Sequence, residues 1–255
     1  MTASDHGGVE LGLGIDTHVP TSSALGHLVR SGANAHPQVS PTQPSPTTPH
    51  TTIATMSPPR HTIFPPWCPA DWQPQNDSLR GGSSTSDLIV AGHGNSAIFF
   101  GALDSKTLGG AGFASVRTTC IQNWDWRGYS GIELGIREHL INNPKKYTLV
   151  LKNELPYDDE HHSPTDWKKM ETSTVSFEYT FTAPHKSDRD VEIIFLPFSE
   201  FVAYYRGRKV EPPPELDLGH VRRMSFMVRS FFGDKEQEGP FSLEIFSLAV
   251  VKEGG

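Results

Sequence analysis

The stretch STVSFEYTFT, residues 173–182, alternates apolar and polar side chains over most of its length. Successive side chains of a β-strand point to opposite faces, so Val175, Phe177, Tyr179 and Phe181 would share one face. A period of two over a run of this length is typical of a strand that buries one side. The stretch therefore predicts a strand in a half-buried sheet.

The same alternation recurs along the chain and predicts the fold class. KYTLVLK (146–152) would turn Tyr147, Leu149 and Leu151 to one face, and GIELGIR (131–137) would do so with Ile132, Leu134 and Ile136. Further strands are predicted in DVEIIFLP, RMSFMVRS and FSLEIFSLAVV, whereas the best helix candidate, GIREHLINNPKK, is interrupted by Asn-Asn-Pro. About nine short strands separated by turn-rich loops predict an all-β protein, a β-sandwich of the jelly-roll type. An open α+β fold is the alternative.

Composition divides the chain into two parts. It has 255 residues with 21 Pro and 23 Gly, and its N-terminal part is poor in aromatic residues. We expect residues 1–62 to be a disordered, low-complexity leader, since prolines and small polar side chains cannot build a core. Residues 63–255 are expected to form one β-sandwich domain. The segment Phe64–Asp77, with Trp67 and Trp72, is expected to be an extended strap lying on this domain.

Charge and cysteine content limit the function classes. The formal net charge is −7, and no block of Lys and Arg is long enough for sequence-independent nucleic-acid binding or polybasic membrane attachment. No apolar run approaches the roughly 20 residues of a membrane helix. The N-terminus resembles neither a secretory signal nor an Arg-rich transit peptide, which favours a cytosolic protein; translation from Met56 is an alternative start.

Cys68 and Cys120 are too few for a disulfide framework and are expected to be buried or inert thiols.

A possible dinucleotide fingerprint lies in DLIVAGHGNSAIFFGALD, residues 87–104. Gly92 and Gly94 have its spacing, but such a loop needs a helix after the glycines to receive the pyrophosphate. The residues that follow are β-like. We therefore expect these glycines to form a tight turn between two edge strands.

A second glycine cluster lies in LGGAGFASVRT, residues 108–118. Gly109, Gly110 and Gly112 would let a strand begin in a cramped or bulged geometry, with Phe113 as its first large side chain. Arg117, near the end of the stretch, is a candidate binding residue.

At GGAGFASVRT the sequence begins to resemble the complex I intermediate-associated protein family, a thirty-kilodalton assembly factor domain. Five further stretches resemble family segments in the same order: YSGIELGIR, KKYTLVLKNE, FLPFSEFVAYYRGRKV, LDLGHVRRMSFMV and GPFSLEI. The resemblance covers about Asp87 to Val251. REHLINNPKK replaces a Gly-Asp-Gly turn of the family, and no tryptophan precedes the Pro-Phe segment, which suggests a divergent paralogue.

The resemblance implies a galactose-binding-like β-sandwich and a function. Such a protein would be a non-catalytic, chaperone-like assembly factor that binds protein partners, namely intermediates of respiratory complex I, in mitochondria. A carbohydrate- or other ligand-binding module without a complex I role is the alternative, because related sandwiches bind saccharides through loop aromatics.

The stretch NWDWRGYSG, residues 123–131, is the first candidate binding site. Trp124 and Trp126 could form a stacking platform for a sugar or a hot spot for a protein partner, since aromatic rings give a large contact area. The alternative is that one of the two closes the end of the sandwich as a core residue.

The segment AYYRGRKVEPPPELDL, residues 203–218, is the second candidate. It is expected to be a long loop carrying Tyr204, Arg206 and Arg208, whose guanidinium groups could pair with carboxylates of a partner. The alternative is a structural ion pair with Glu211 or Asp217.

Patterns for catalysis, metals and cofactors are weak. DDEHHSPTDW (158–167) gathers acids and two histidines but has no matching ligand pair, so it is read as a solvated loop. Glu133, Glu154 and Glu178 could pair across a sheet, as carboxylates do in any sandwich of this size. We expect no catalytic residue, no metal site and no cofactor.

Overall fold

The computed structural model describes residues 59–140, 142–156, 173–184 and 190–252. These belong to a compact unit that spans Ala54–Gly255. Residues 1–58 of the expected leader, and the DDEHHSPTDW loop, lie outside the described residues. Thirteen strands are present in the described chain: β1 Arg60–Phe64, β2 Trp72–Pro74, β3 Thr85–Ala91, β4 Ser96–Leu103, β5 Phe113–Thr118, β6 Gly131–Glu138, β7 Lys146–Lys152, β8 Ser176–Thr182, β9 Glu192–Pro197, β10 Val202–Tyr205, β11 Arg208–Lys209, β12 Arg223–Arg229 and β13 Gly239–Val251.

The strands form two antiparallel sheets. The six-stranded sheet has the order β3-β4-β13-β6-β9, with β1 also paired to β13, and the seven-stranded sheet has the order β11-β10-β8-β7-β12-β5-β2. Helical segments in the described residues are short 3-10 turns: Pro69–Asp71, Asp77–Arg80, Gly92–Gly94, Phe198–Glu200 and Lys235–Gln237. None of them is long and apolar enough to cross a membrane. The all-β sandwich is confirmed, and the α+β alternative is wrong.

The core lies between the two sheets and follows the alternation of the sequence. Ile132, Leu134 and Ile136 of β6, and Tyr147, Leu149 and Leu151 of β7, are all fully buried. β8 buries Phe177 and Phe181 against the same layer, as the stretch STVSFEYTFT predicts. Successive side chains of a strand point to opposite faces, so a strand that packs one face against the opposite sheet has an apolar residue at every second position.

The N-terminal strap is part of the core. Trp67 and Trp72 are buried, and the Phe64 ring stacks on Trp67 with their centroids 4.5 Å apart. β1 pairs with β13 from Arg60 onwards, so the sheet begins three residues before residue 63, the expected start of the domain. Because antiparallel pairing satisfies the backbone groups of β1, these residues belong to the domain rather than to a leader.

The first glycine pair forms a turn, as predicted. The Gly92–Gly94 segment joins β3 to β4, which pair as an antiparallel hairpin. Of these two strands, β3 lies at the edge of the sheet and β4 lies between β3 and β13. The expectation that both are edge strands is therefore wrong. Trp67 N donates to Gly94 O at 3.0 Å, so this turn also holds the strap.

Both cysteines differ from their expected burial. Cys68 and Cys120 are free and exposed. Each lies beside the junction of β2 and β5, where Thr119 N donates to Asp71 O at 2.9 Å. Because the strap enters the core through its tryptophans, the residues next to them are left at the surface.

The second glycine cluster allows a crowded approach of three loops. A Cβ on Gly112 would lie 2.2 Å from the carbonyl oxygen of Asp104. The buried Asp77 carboxylate accepts from Phe113 N at 3.1 Å and from Ser84 Oγ at 2.7 Å, which anchors the start of β5. The predicted cramped geometry is present at Gly112, whereas Gly109 and Gly110 have room for a Cβ and have a positive φ, which glycine favours.

We predict that Gly112→Ala lowers the free energy of unfolding by about 2–3 kcal/mol, because backbone atoms must move to admit the methyl group. Gly109→Ala is the control in the same loop: its φ is +64° with nothing near a Cβ, so it should cost only about 1 kcal/mol. Urea unfolding of the two variants measures the difference. Equal losses would contradict the crowding at Gly112.

Candidate functional site

The two tryptophans of NWDWRGYSG have different roles. Trp126 is 1% exposed and stacks on Phe198 at 5.9 Å, so it is a core residue that closes one end of the sandwich. Its predicted place in a binding platform is therefore wrong, and the alternative of one core tryptophan holds. Trp124 is half-buried and also stacks on Trp126, with the ring centroids 5.2 Å apart.

Charged groups surround Trp124 at this end of the sandwich. Arg127 donates to both carboxylate oxygens of Asp125, and these hydrogen bonds lower the pKa of the Asp125 carboxyl to about 2. Asp217 accepts from His220 at 2.7 Å. Trp124 makes a backbone bridge to Val221, so Asp125 and His220 are chain neighbours of the two bridged residues.

The segment AYYRGRKV is a tight hairpin rather than the long loop that was predicted. β10 and β11 pair directly, and Arg206 and Gly207 form the turn with φ of 51° and 74°. The Arg206 guanidinium lies over the Tyr205 ring, 5.5 Å from its centroid, and Arg208 is exposed. The two acids expected as partners have these contacts: Glu211 pairs with Lys209 at 3.1 Å, and Asp217 lies 2.7 Å from His220.

The outward side of the seven-stranded sheet carries several of the polar side chains that the described part of the fold buries. Cross-strand register puts the following side chains on this side, which we call the polar face: Gln73, Ser115, Arg117, Thr148, Lys152, Ser176, Glu178, Thr180, Tyr204, Arg223, Ser225 and Arg229. The structure therefore brings two predicted residues, Arg117 and Tyr204, onto one face. They lie on β5 and β10, with β8, β7 and β12 between them.

Arg229 connects the strands of the polar face. Its guanidinium donates to Glu178 at 2.6 Å and lies 5.0 Å from the centre of the Tyr204 ring. To reach these residues from β12, the side chain must cross β7, where Thr148 is fully buried. At the other edge, Gln73 accepts from Arg117 at 2.7 Å in the amide orientation that satisfies both groups.

Glu178 is an ionisable group in a protected position. Its side chain is 7% exposed and that of Arg229 is 19% exposed. Burial raises the pKa of the Glu178 carboxyl above its ordinary value, while the charge of Arg229 and the hydrogen bond from Ser176 oppose the rise. The sequence placed Glu178 among residues that could pair across a sheet but gave no signal that selected Arg229 as the partner.

One cluster has the residue types of a hydrolase triad. On the outward side of the six-stranded sheet, Ser242 Oγ lies 3.3 Å from His139 Nδ1, and His139 Nε2 lies 3.0 Å from Glu244. Arg137 and Ser96 also donate to Glu244; burial acts to raise the pKa of this carboxyl, but these hydrogen bonds outweigh it and hold the pKa low. Arg137 thus neutralises the acid that would stabilise a charged His139. Ser242 lies within the β13 ladder rather than on an exposed turn.

The described residues contain no group of three or more His, Cys, Asp or Glu side chains that could hold a metal ion. Their polar side chains are arranged as ion pairs, cation–π contacts and exposed turns.

We predict that Arg229→Met destabilises the protein by about 3 kcal/mol at pH 8, because it leaves the Glu178 carboxylate buried without its cation. Because folding raises the pKa of the Glu178 carboxyl above its ordinary value of 4.5, protonation of this group stabilises the folded state. The stabilisation is complete below pH 4.5 and is lost as the pH rises through the raised pKa. Loss of Arg229 raises this pKa further, so the cost should be smaller at pH 5 than at pH 8. Urea unfolding at both pH values measures it.

The control for this prediction is the double variant Arg229→Met with Glu178→Gln. It has no carboxyl at position 178, so its cost relative to Glu178→Gln alone should not change between pH 5 and pH 8. A single variant whose cost is also constant with pH would contradict the coupling of the two residues.

Two comparisons with known proteins concern relatives and the fold. An uncharacterized protein of Schizosaccharomyces pombe is 40% identical over 190 residues, which cover 72% of this chain and 80% of that protein. Among solved structures, the family 11 carbohydrate-binding module of a cellulosomal cellulase from Clostridium thermocellum aligns with a TM-score of 0.50 at 12% identity, over 77% of this chain and 96% of the module. This likeness concerns the jelly-roll fold alone.

A family model accounts for almost the whole sandwich. The model described as complex I intermediate-associated protein 30 (CIA30) matches residues 66–245, from the strap to the middle of β13. The match includes the glycine cluster, the tryptophan loop, the β10–β11 hairpin and the polar face. The chain therefore belongs to the complex I intermediate-associated protein 30 family.

Proposed function

We propose that this protein is a non-catalytic assembly factor that binds intermediates of mitochondrial respiratory complex I in the manner of a chaperone. Its membership of the complex I intermediate-associated protein 30 family over residues 66–245 carries the proposal. Protein partners, rather than a small substrate, are the ligands that follow from this role.

The exposed groups of the sandwich support a role in recognition. The β10–β11 hairpin extends the edge of the seven-stranded sheet and exposes Tyr205, Arg206 and Arg208. Tyrosine and arginine are enriched at protein interfaces, because an aromatic ring gives contact area and a guanidinium pairs with carboxylates or carbonyls. Trp124, half-buried between Trp126 and the solvent, offers a second aromatic surface.

The alternative role, a carbohydrate-binding module, is weakened by the position of Trp126. A stacking platform of two tryptophans needs both rings at the surface, and Trp126 is buried. Binding to a glycan array that is lost in Trp124→Ala, together with no association with complex I, would favour this alternative over the assembly role.

We predict that the protein, tagged at its C-terminus at the native locus, fractionates with mitochondria and migrates on native gels with intermediates of the complex I membrane arm. Mass spectrometry of the co-migrating bands identifies the partners. Migration as a cytosolic monomer under all conditions would contradict the proposed role.

We also predict that Arg208→Glu lowers the co-migrating fraction roughly fivefold, since reversing one exposed interface charge changes binding by about 1 kcal/mol. Lys252→Glu is the matched control, because it makes the same charge change at an exposed residue just after β13. An equal effect of the two substitutions would assign the loss to overall charge instead of to the hairpin.

A further inference from the structure

The turn between β12 and β13 has an unusual backbone. Gly233 N donates to Ser230 O at 3.1 Å and closes a four-residue turn around Phe231 and Phe232. Both central residues have a positive φ, 44° and 57°. Hairpin turns with two positive φ values are dominated by Asn, Asp and Gly, which adopt this conformation with little steric conflict. Two consecutive phenylalanines are the opposite choice and are strained.

The base of this turn is held firmly. Ser230 is buried, its Oγ donates to Gly110 O at 2.7 Å and accepts from Gly112 N at 3.0 Å, and its N donates to Gly112 O at 3.0 Å. The glycine cluster that begins β5 is therefore also the support of the turn. A rigid base lets the surrounding structure maintain a strained conformation.

The two phenylalanines differ in their environment. The Phe231 ring lies 4.7 Å from the Arg229 guanidinium and 5.7 Å from Lys146 Nζ, so it covers the end of the polar face. The Phe232 side chain is 83% exposed, more than any other exposed large hydrophobic residue in the described chain. The contacts of the Phe231 ring explain why a phenylalanine occupies that strained position. The exposed Phe232 ring is not explained by packing inside the protein.

We propose that Phe232 is the anchor of a protein interface and inserts its ring into an apolar pocket of a partner. This inference rests on the proposed function and names the residue through which the protein holds an assembly partner. A rigid turn presents the ring in one position, so little conformational entropy is lost when the ring is buried. Aromatic anchors of this kind, surrounded by weaker polar contacts, dominate the affinity of many interfaces.

The charges around the turn favour a protein pocket over a lipid surface. Lys146 pairs with Asp234 at 2.9 Å, and Lys106 pairs with Glu238 at 3.0 Å. Lys235 and Glu236, which follow Asp234 in the chain, also carry opposite charges. Attachment to an anionic bilayer requires an excess of cations and more than one apolar group, whereas a rim of mixed charge is usual at a protein interface.

The test uses Phe232→Asn in the full-length protein, tagged at the native locus. Asparagine tolerates the positive φ, so this substitution removes the ring and relieves the strain together. We expect the unfolding midpoint of the purified variant to equal or exceed that of the wild type. We expect its fraction in the high-mass assembly to fall about 30-fold, the loss typical of a central anchor.

Two controls separate the anchor from general effects. Ile89→Asn makes a similar loss of an exposed apolar side chain on β3, and it should leave the assembly unchanged. Phe232→Leu keeps an apolar side chain at the tip and should retain most of the binding.

The outcomes distinguish the anchor from the proposed function. If Phe232→Asn migrates with complex I intermediates as the wild type does, the anchor is overturned and the assembly role stands. If the wild type joins a different protein assembly and Phe232→Asn does not, the complex I role is overturned and the anchor stands. If the two proteins differ only in flotation with phosphatidylcholine–cardiolipin vesicles, the turn binds lipid and the protein pocket is overturned. A midpoint lowered by Phe232→Asn would overturn the argument from strain.

Discussion

The contact of Phe226 with aromatic rings from two other parts of the chain is the interaction on which the rest of the structure depends. Phe226, on β12, lies 6.3 Å from Phe99 of the opposite sheet and 5.7 Å from Trp72 of the strap. It thus joins both sheets and the N-terminal segment in one apolar layer. Burial of apolar surface is the main favourable term in folding, and aromatic rings bury large areas, so this layer stabilises both sheets and the strap together.

The apolar layer also explains how the polar face can exist. Alternate residues of β12 point inward to the aromatic layer, and the residues between them, Arg223, Ser225 and Arg229, point outward. A charge on that side is tolerated only when a partner lies within reach, because removing an ion from water is costly. The Arg229–Glu178 pair meets this condition by spanning β7, and the Tyr204 ring lies against the same guanidinium.

Two turns with positive φ illustrate how local preferences and function can diverge. Arg206 and Gly207 at the β10–β11 turn include the glycine that such a turn favours, and the hairpin there is an ordinary edge of the sheet. Phe231 and Phe232 at the β12–β13 turn break the same preference, although the turn has the same hydrogen-bonded form. Positions where a sequence violates its local rule are expected at functional sites, since stability alone would select against them.

The sequence by itself determined the central strands, the class of the sandwich and the family, because the period of two in β6, β7 and β8 and the glycine cluster of β5 are local patterns. The tertiary structure alone decided that Trp126 is a core residue while Trp124 keeps one side near the solvent. It also decided that Arg229 pairs with Glu178 and that Phe232 projects from a strained turn. These features arise from contacts between residues far apart in the chain, such as Trp126 with Phe198 and Ser230 with Gly112. A local pattern records which face of a strand is apolar, but it does not record which distant side chain will cover that face.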